Sequence, residues 1–216
     1  MTFFKTTKNL VFGVLAAAIY VSSASAATLF DNGLPNTTNG FSILGSSEVR
    51  DDFTLLTDGT VVHVTFYFQN YNGITGWNQD ITYNIWDALS GGNLLATGAG
   101  VNVTPVDSGL PWCCGGGNAW QVDFDLQTGF AASAGNTYWL GLTGATGTAT
   151  SAWWVTTDLK NGNSSIGNTD FAFLLTDVGG VTIFDTTTAV PANNYLALAL
   201  LTLLLAGFGW VGIRRT

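Results

Sequence analysis

The sequence predicts an all-β fold, an antiparallel β-sandwich of jelly-roll type, and three observations lead to it. Strand and turn formers dominate: Thr, Asn, Gly, Phe and Trp are frequent, whereas only 9% of the 216 residues are charged and there is a single Met. Most good helix formers are therefore missing. Several segments alternate apolar and polar residues with a period of two, and Gly/Asn/Asp clusters separate them at short intervals. Ala27 to Val190 offers enough chain for one sandwich-sized domain.

The clearest strand runs from Thr60 to Phe68, where Val62, Val64, Phe66 and Phe68 alternate with Val61, His63, Thr65 and Tyr67. One face is expected to be core and the other solvated. Trp120, Val122, Phe124 and Leu126 alternate with Gln121, Asp123 and Asp125 in the same way. Weaker strands are expected at Ile81–Trp86, Tyr138–Leu142, Ala152–Thr156, Phe171–Leu175 and Val181–Phe184. Ser90-Gly91-Gly92-Asn93 and Asn161-Gly162-Asn163 read as turns between them. Seven or eight short strands without an intervening helix fit a sandwich.

The two ends carry a different pattern. Lys5 and Lys8 precede an apolar stretch from Leu10 to Val21, and Ala24-Ser25-Ala26 follows as a small-residue site. This is the form of a secretory signal peptide over residues 1–26, cut after Ala26. Near the other end, Val190-Pro191 leads to an uncharged run from Tyr195 to Ile213 and then to Arg214-Arg215. At about 1.5 Å per residue that run makes a helix of roughly 28 Å, enough to span a bilayer, with the arginines on the cytoplasmic side.

Taken together, residues 190–216 resemble the tripartite C-terminal sorting signals of the PEP-CTERM type, and especially the IPTL-CTERM variant. The resemblance rests on Val190-Pro191, the Leu-rich segment with Trp210, and Arg214-Arg215. It implies an inner-membrane intermediate in a Gram-negative bacterium and cleavage near the Pro motif by an exosortase-like enzyme. Delivery to the cell surface or extracellular matrix would follow. The variant usually continues Thr-Leu after its Pro, where this chain has Ala192-Asn193, so the subtype and cut site stay open. An ordinary single-pass anchor is the alternative. Within residues 27–189, Arg50-Asp51-Asp52-Phe53-Thr54-Leu55, Val64-Thr65-Phe66-Tyr67, Ile81-Thr82-Tyr83-Asn84-Ile85-Trp86 and Asn136-Thr137-Tyr138-Trp139-Leu140-Gly141-Leu142 resemble phrases of such sorting-signal proteins. Their domains look like carbohydrate-binding jelly rolls.

Charge narrows the partners. All fourteen acidic residues lie between the two ends, against only Arg50 and Lys160, a balance of −12. Such a surface repels phosphate backbones and anionic lipid, so no nucleic-acid partner is expected, while cations and neutral polymers such as extracellular polysaccharide remain.

Catalytic groups are sparse: one His, one Glu and two adjacent Cys. His63 reads as a solvated or cross-strand-packed residue, and Asp123 and Asp125 read as solvent-facing beside a core stripe. No enzyme is therefore expected; a glycan hydrolase using two of Asp51, Asp52, Asp123 and Asp125 is the residual alternative. Aromatic rings that stack on sugars are the better binding candidates. Trp77, in a Gly-rich loop, is expected to be exposed, and Trp153 and Trp154 must point to opposite faces of a strand. Calcium is the cofactor this composition would favour, with Asp31, Asp51 and Asp52 as ligands. Cys113 and Cys114 adjoin, and an oxidising compartment disfavours two free thiols, so a vicinal disulfide is expected, with intermolecular cross-linking as the rival. The expectation for the whole chain is a non-enzymatic exported surface or matrix protein, with a ligand-free structural component of the surface or biofilm as the alternative.

Overall fold

A computed structural model describes residues 26–177, apart from 72, 115–116, 149–150 and 159. The expected signal segment up to residue 25, the strand Val181–Phe184 and the transmembrane segment 195–213 lie outside the described residues. Among the described residues no helix is long and apolar enough to cross a membrane.

The chain forms β1 (Thr28–Asp31), β2 (Pro35–Ser42), β3 (Val49–Thr54), β4 (Gly59–Gln69), β5 (Thr82–Trp86) and β6 (Leu94–Ala99). It continues with β7 (Val101–Pro111), β8 (Asn118–Ala132), β9 (Thr137–Thr143), β10 (Trp153–Thr157) and β11 (Phe173–Thr176). The strands make two antiparallel sheets in a sandwich-like arrangement. In the larger sheet β4 is central: β8 and then β7 lie along one side, and β11 and β10 share the other side, leading to β1 and β2. The smaller sheet runs β3-β9-β5-β6.

The core lies between the sheets. Val64, Phe66, Phe68, Phe124, Trp154 and Phe173 from the larger sheet meet Phe53, Tyr83, Ile85, Leu140 and Leu142 from the smaller one in a single apolar cluster. Aromatic rings meet at angles inside it, as where Phe66 and Phe124 pack edge to face with centroids 6.0 Å apart. Two expected turns are where glycine is required: Gly91 (φ 68°) between β5 and β6, and Gly162 (φ 67°) in the β10–β11 loop.

The alternation in β4 holds with one correction. A bulge between Val61 and His63 shifts the register, so Val61 joins Val64 in the core and Val62 turns outward. A second correction concerns the opposite face, expected to be solvated. His63, Thr65, Tyr67, Gln121 and Asp123 are all buried. Tyr67 belongs to a small second core on that side with Trp112, Val155 and Ala172, flanked by Leu110 and Trp153. Two hydrogen bonds link polar side chains there: Thr65 Oγ1 donates to Asp123 Oδ1 (2.5 Å), and Gln121 Nε2 donates to Asp123 Oδ2 (2.8 Å). Burial raises the Tyr67 hydroxyl to about 12, with the charges of Asp123 and Asp31 adding to it.

Candidate functional site

The most unusual local chemistry sits at the edge of the sandwich on β3. Alternation points Val49, Asp51 and Phe53 inward, which places a carboxylate in the core layer. Asp51 is fully buried. Its Oδ2 accepts from Asn32 Nδ2 (2.9 Å) and the Phe171 amide (2.7 Å), and its Oδ1 from the Asp52 amide (3.0 Å). Asp52 accepts from Asn161 Nδ2 at both oxygens (3.0 Å each). The backbone amides of Lys160, Asn161 and Gly162 all donate to Asp170. The β10–β11 loop that carries these residues docks on β3, where Ser165 N donates to Arg50 O and Arg50 N donates to Ser165 Oγ, both at 2.9 Å.

Asp51, Asp52 and Asp170 thereby converge, each offering an oxygen within 4.8 Å of the others. No Lys or Arg among the described residues forms an ion pair with them. Burial pushes the Asp51 carboxyl up to about 8, with the Asp170 and Asp52 charges adding to it and the backbone donors opposing it. Three buried carboxylates are stable together only if protons or a cation offset their charge. Hard oxygen ligands without thiol or imidazole suit calcium. Of the expected ligand set, Asp51 and Asp52 come together, but Asp31 does not. It faces the other way on β1, where Oδ1 accepts from the Gly33 amide (2.7 Å). Asp170 takes the third place, brought in by loop docking that no local spacing announces.

Beside Asp170 a cleft of about 250 Å³ opens at the β2 edge, lined by Asn36, Thr38, Asn39, Thr156, Asn168 and Thr169 among others. Its walls are held in place: Asn36 Oδ1 accepts from Thr156 Oγ1 and Thr38 Oγ1, both at 2.8 Å. Hydroxyl and amide groups line it, together with a single carboxylate.

The tryptophans divide. Trp77, expected in an exposed loop, is only 4% exposed: a 3-10 turn at Ile74–Gly76 folds it inward, its ring stacks on Phe68 (4.5 Å) and Nε1 donates to Asp80 O (2.9 Å). It cannot serve as an exposed platform in this conformation. Trp153 and Trp154 do point to opposite faces. Trp154 is fully buried against Phe171 and Phe173, whereas Trp153 is partly exposed on the outer face. There it meets Tyr71, 49% exposed, edge-on at 4.7 Å, and Trp112 at 6.5 Å. Tyr71 was not singled out by the sequence, although its position just beyond β4, two residues before Gly73, marks it as a loop aromatic. On the smaller sheet, the Arg50 guanidinium lies 3.8 Å over the Trp86 ring, whose Nε1 donates to Glu48 Oε1 (2.8 Å).

His63 is cross-strand packed rather than solvated. Nδ1 is 2.7 Å from Asp125 Oδ1, and Nε2 lies 3.5 Å from Asp123 Oδ1. Burial lowers its pKa, but the hydrogen bonds and charges of the two carboxylates outweigh this and raise it. A raised folded-state value means that the pair's stabilisation is full below the unfolded value of 6.5 and fades as pH rises through the folded one. His63→Phe, which leaves the Asp123 and Asp125 carboxylates without their cation, is expected to cost about 2–4 kcal/mol at pH 6 and less at pH 9. Urea midpoints of both proteins at the two pH values check this, and an equal penalty at both would refute the charge-pair account.

Cys113 and Cys114 are disulfide-bonded to each other, in the turn between β7 and β8. No family model matches the chain, and neither a curated protein nor a solved structure matches it significantly.

Proposed function

We propose that the chain is a non-enzymatic exported surface or matrix protein of a Gram-negative bacterium, whose jelly-roll-like sandwich binds neutral extracellular polysaccharide. One observation carries the binding reading: Tyr71 and Trp153 form an exposed aromatic step on the outer face of the larger sheet. Aromatic faces supply the apolar contact for sugar C–H groups, and the cleft of amides and hydroxyls at the β2 edge matches sugar hydroxyls. The excess of acidic groups favours a neutral over an anionic glycan. The strand order β3-β9-β5-β6, in which β9 is inserted between β3 and β5 while β5 and β6 form a hairpin, fits the crossed connections of a jelly roll. Calcium at Asp51, Asp52 and Asp170 would act as a structural brace, holding the β10–β11 loop to β3.

Export and sorting rest on the terminal sequences, with export machinery and an exosortase-like enzyme as partners. One contact supports the first cut. Ala27 N donates to Asp177 Oδ1 (2.7 Å), so cleavage after Ala26 would set a new ammonium group against a carboxylate and leave β1 intact. Burial of Trp77, Trp112 and Trp154 favours the second reading, a structural component without a ligand.

The test has two arms. Intact mass of the protein from its native host should show a form starting at Ala27 and ending near Val190, lost when the sorting enzyme is deleted. A form retaining residues 195–216 in both strains would overturn the sorting reading. Full-length protein in detergent, screened on an array of neutral and acidic glycans, should retain neutral ones only. No retention on any glycan would leave the structural reading.

A further inference from the structure

We propose that the turn Trp112–Cys113–Cys114 is a disulfide-locked latch over a polar glycan subsite whose floor is Gln69 and Gln121. The inference rests on the polysaccharide-binding reading and specifies how its site is controlled.

Strand register puts the parts together. Gln69 lies opposite Trp153, and Gln121 lies opposite Tyr67, so both glutamines share the outer face with the aromatic step. Both are fully buried, yet neither amide atom of Gln69 has a hydrogen-bond partner among the described residues, and neither does Gln121 Oε1. The Trp112 Nε1–H, on the same side, is also unpartnered among them. Buried polar atoms are nearly always paired, so several unpaired ones on one patch mark a place built for a molecule that brings its own donors and acceptors. The offered set is neutral and mixed: one amide N–H₂, two amide carbonyls and one indole N–H. A sugar hydroxyl, donor and acceptor at once, answers both kinds. An anion would be opposed by Asp123, which Gln121 Nε2 already holds at 2.8 Å.

Trp112 lies beside the patch, in one apolar cluster with Tyr67, which is opposite Gln121, and Trp153, which is opposite Gln69. It packs on Tyr67, Val155 and Ala172 against Trp153, and its turn is pinned by Trp112 N donating to Gly117 O (3.0 Å) and Cys113 N donating to Thr37 O (3.1 Å). The bond between adjacent residues, with Cα atoms 3.8 Å apart, closes the smallest ring a disulfide can make along a chain and removes the backbone freedom the turn needs to lift. A dithiol opens it. One thiolate attacks one sulfur and the S–S bond breaks, giving a mixed disulfide. The reagent's second thiol then closes on the first, and two electrons and two protons pass to Cys113 and Cys114. The freed turn lifts Trp112 and bares Gln69 and Gln121.

The test uses full-length protein in detergent with cellohexaose, xylohexaose and mannohexaose as probes, oxidised and after dithiothreitol. Reduction is expected to red-shift tryptophan emission, to speed deuterium exchange in peptides covering residues 66–71, and to tighten binding of at least one probe about tenfold. The double variant Cys113→Ser, Cys114→Ser should behave as the reduced protein and ignore dithiothreitol. Gln69→Leu should keep the red shift and lose the affinity gain. Two titratable thiols with unchanged emission and exchange would overturn the latch. Binding that is equal in both redox states would overturn it while leaving the polysaccharide reading intact. Opening without binding of any probe in either state, together with an empty glycan array, would remove that reading itself.

Discussion

In a chelating buffer the protein is expected to lose stability as pH rises from about 4 to about 8, the reverse of ordinary acid denaturation. Asp51 is the cause. Its carboxyl is held near 8 in the fold against 3.8 in the unfolded chain, so the folded state carries the extra proton throughout that window. A proton held more tightly by the folded state stabilises at low pH, and the gain drains away as pH climbs. At about 1.4 kcal/mol per unit, the shift corresponds to a loss on the order of 4–6 kcal/mol, a large part of a domain's stability. Calcium should reverse the trend, because a divalent ion favours the ionised forms of Asp51, Asp52 and Asp170. At a concentration one hundred times its dissociation constant, it would add about 2.7 kcal/mol at pH 8. Asp51→Asn mimics the protonated group, and so should flatten the pH profile and abolish the calcium response. Urea midpoints across pH, with calcium and with chelator, measure all three effects. Calcium-insensitive midpoints at pH 8, with one pH profile for both proteins, would mean that the cluster neither binds the ion nor stores the proton.

That cluster shows where the sequence could be read and where it could not. Asp51 and Asp52 are neighbours on a strand and stood out, but Asp170 and Asn161 reach them only because the β10–β11 loop docks on the edge of β3. The fold was legible where one face of a strand is apolar, as in β4, β5, β8 and β9. It was not legible in the Asn- and Thr-rich β2 or in β7, which Pro105 interrupts; both take their strand character from the neighbours they pair with. Periodicity also cannot report a second layer. The polar face of β4 looked solvated, and Trp112, arriving from the turn after β7, covers part of it. Trp77 misled for a related reason: the glycines around it suggested an open loop, and they let a tight turn carry the ring onto Phe68.

The adjacent tryptophans of β10 then separate stability from binding within a single peptide unit. Trp154 fills the core against Phe66, Phe171 and Phe173 and donates from Nε1 to Ala172 O (3.0 Å). Trp154→Ala should therefore cost about 3–5 kcal/mol, through lost burial and the cavity left behind. Trp153 lies on the other face, partly exposed beside Tyr71. Trp153→Ala should cost about 1 kcal/mol of stability, as a partly exposed side chain does. Its effect on neutral-glycan affinity should be tenfold or more, about 1.4 kcal/mol, because an aromatic anchor carries a large share of binding energy. Urea denaturation and glycan binding on the two variants give four values, and the pattern is what matters. A large stability loss with unchanged affinity in Trp153→Ala would give Trp153 a packing role alone, as part of the second core, and make the protein a structural component. The opposite pattern would assign the two faces of one strand to two tasks, the inner to holding the sandwich together and the outer to the glycan.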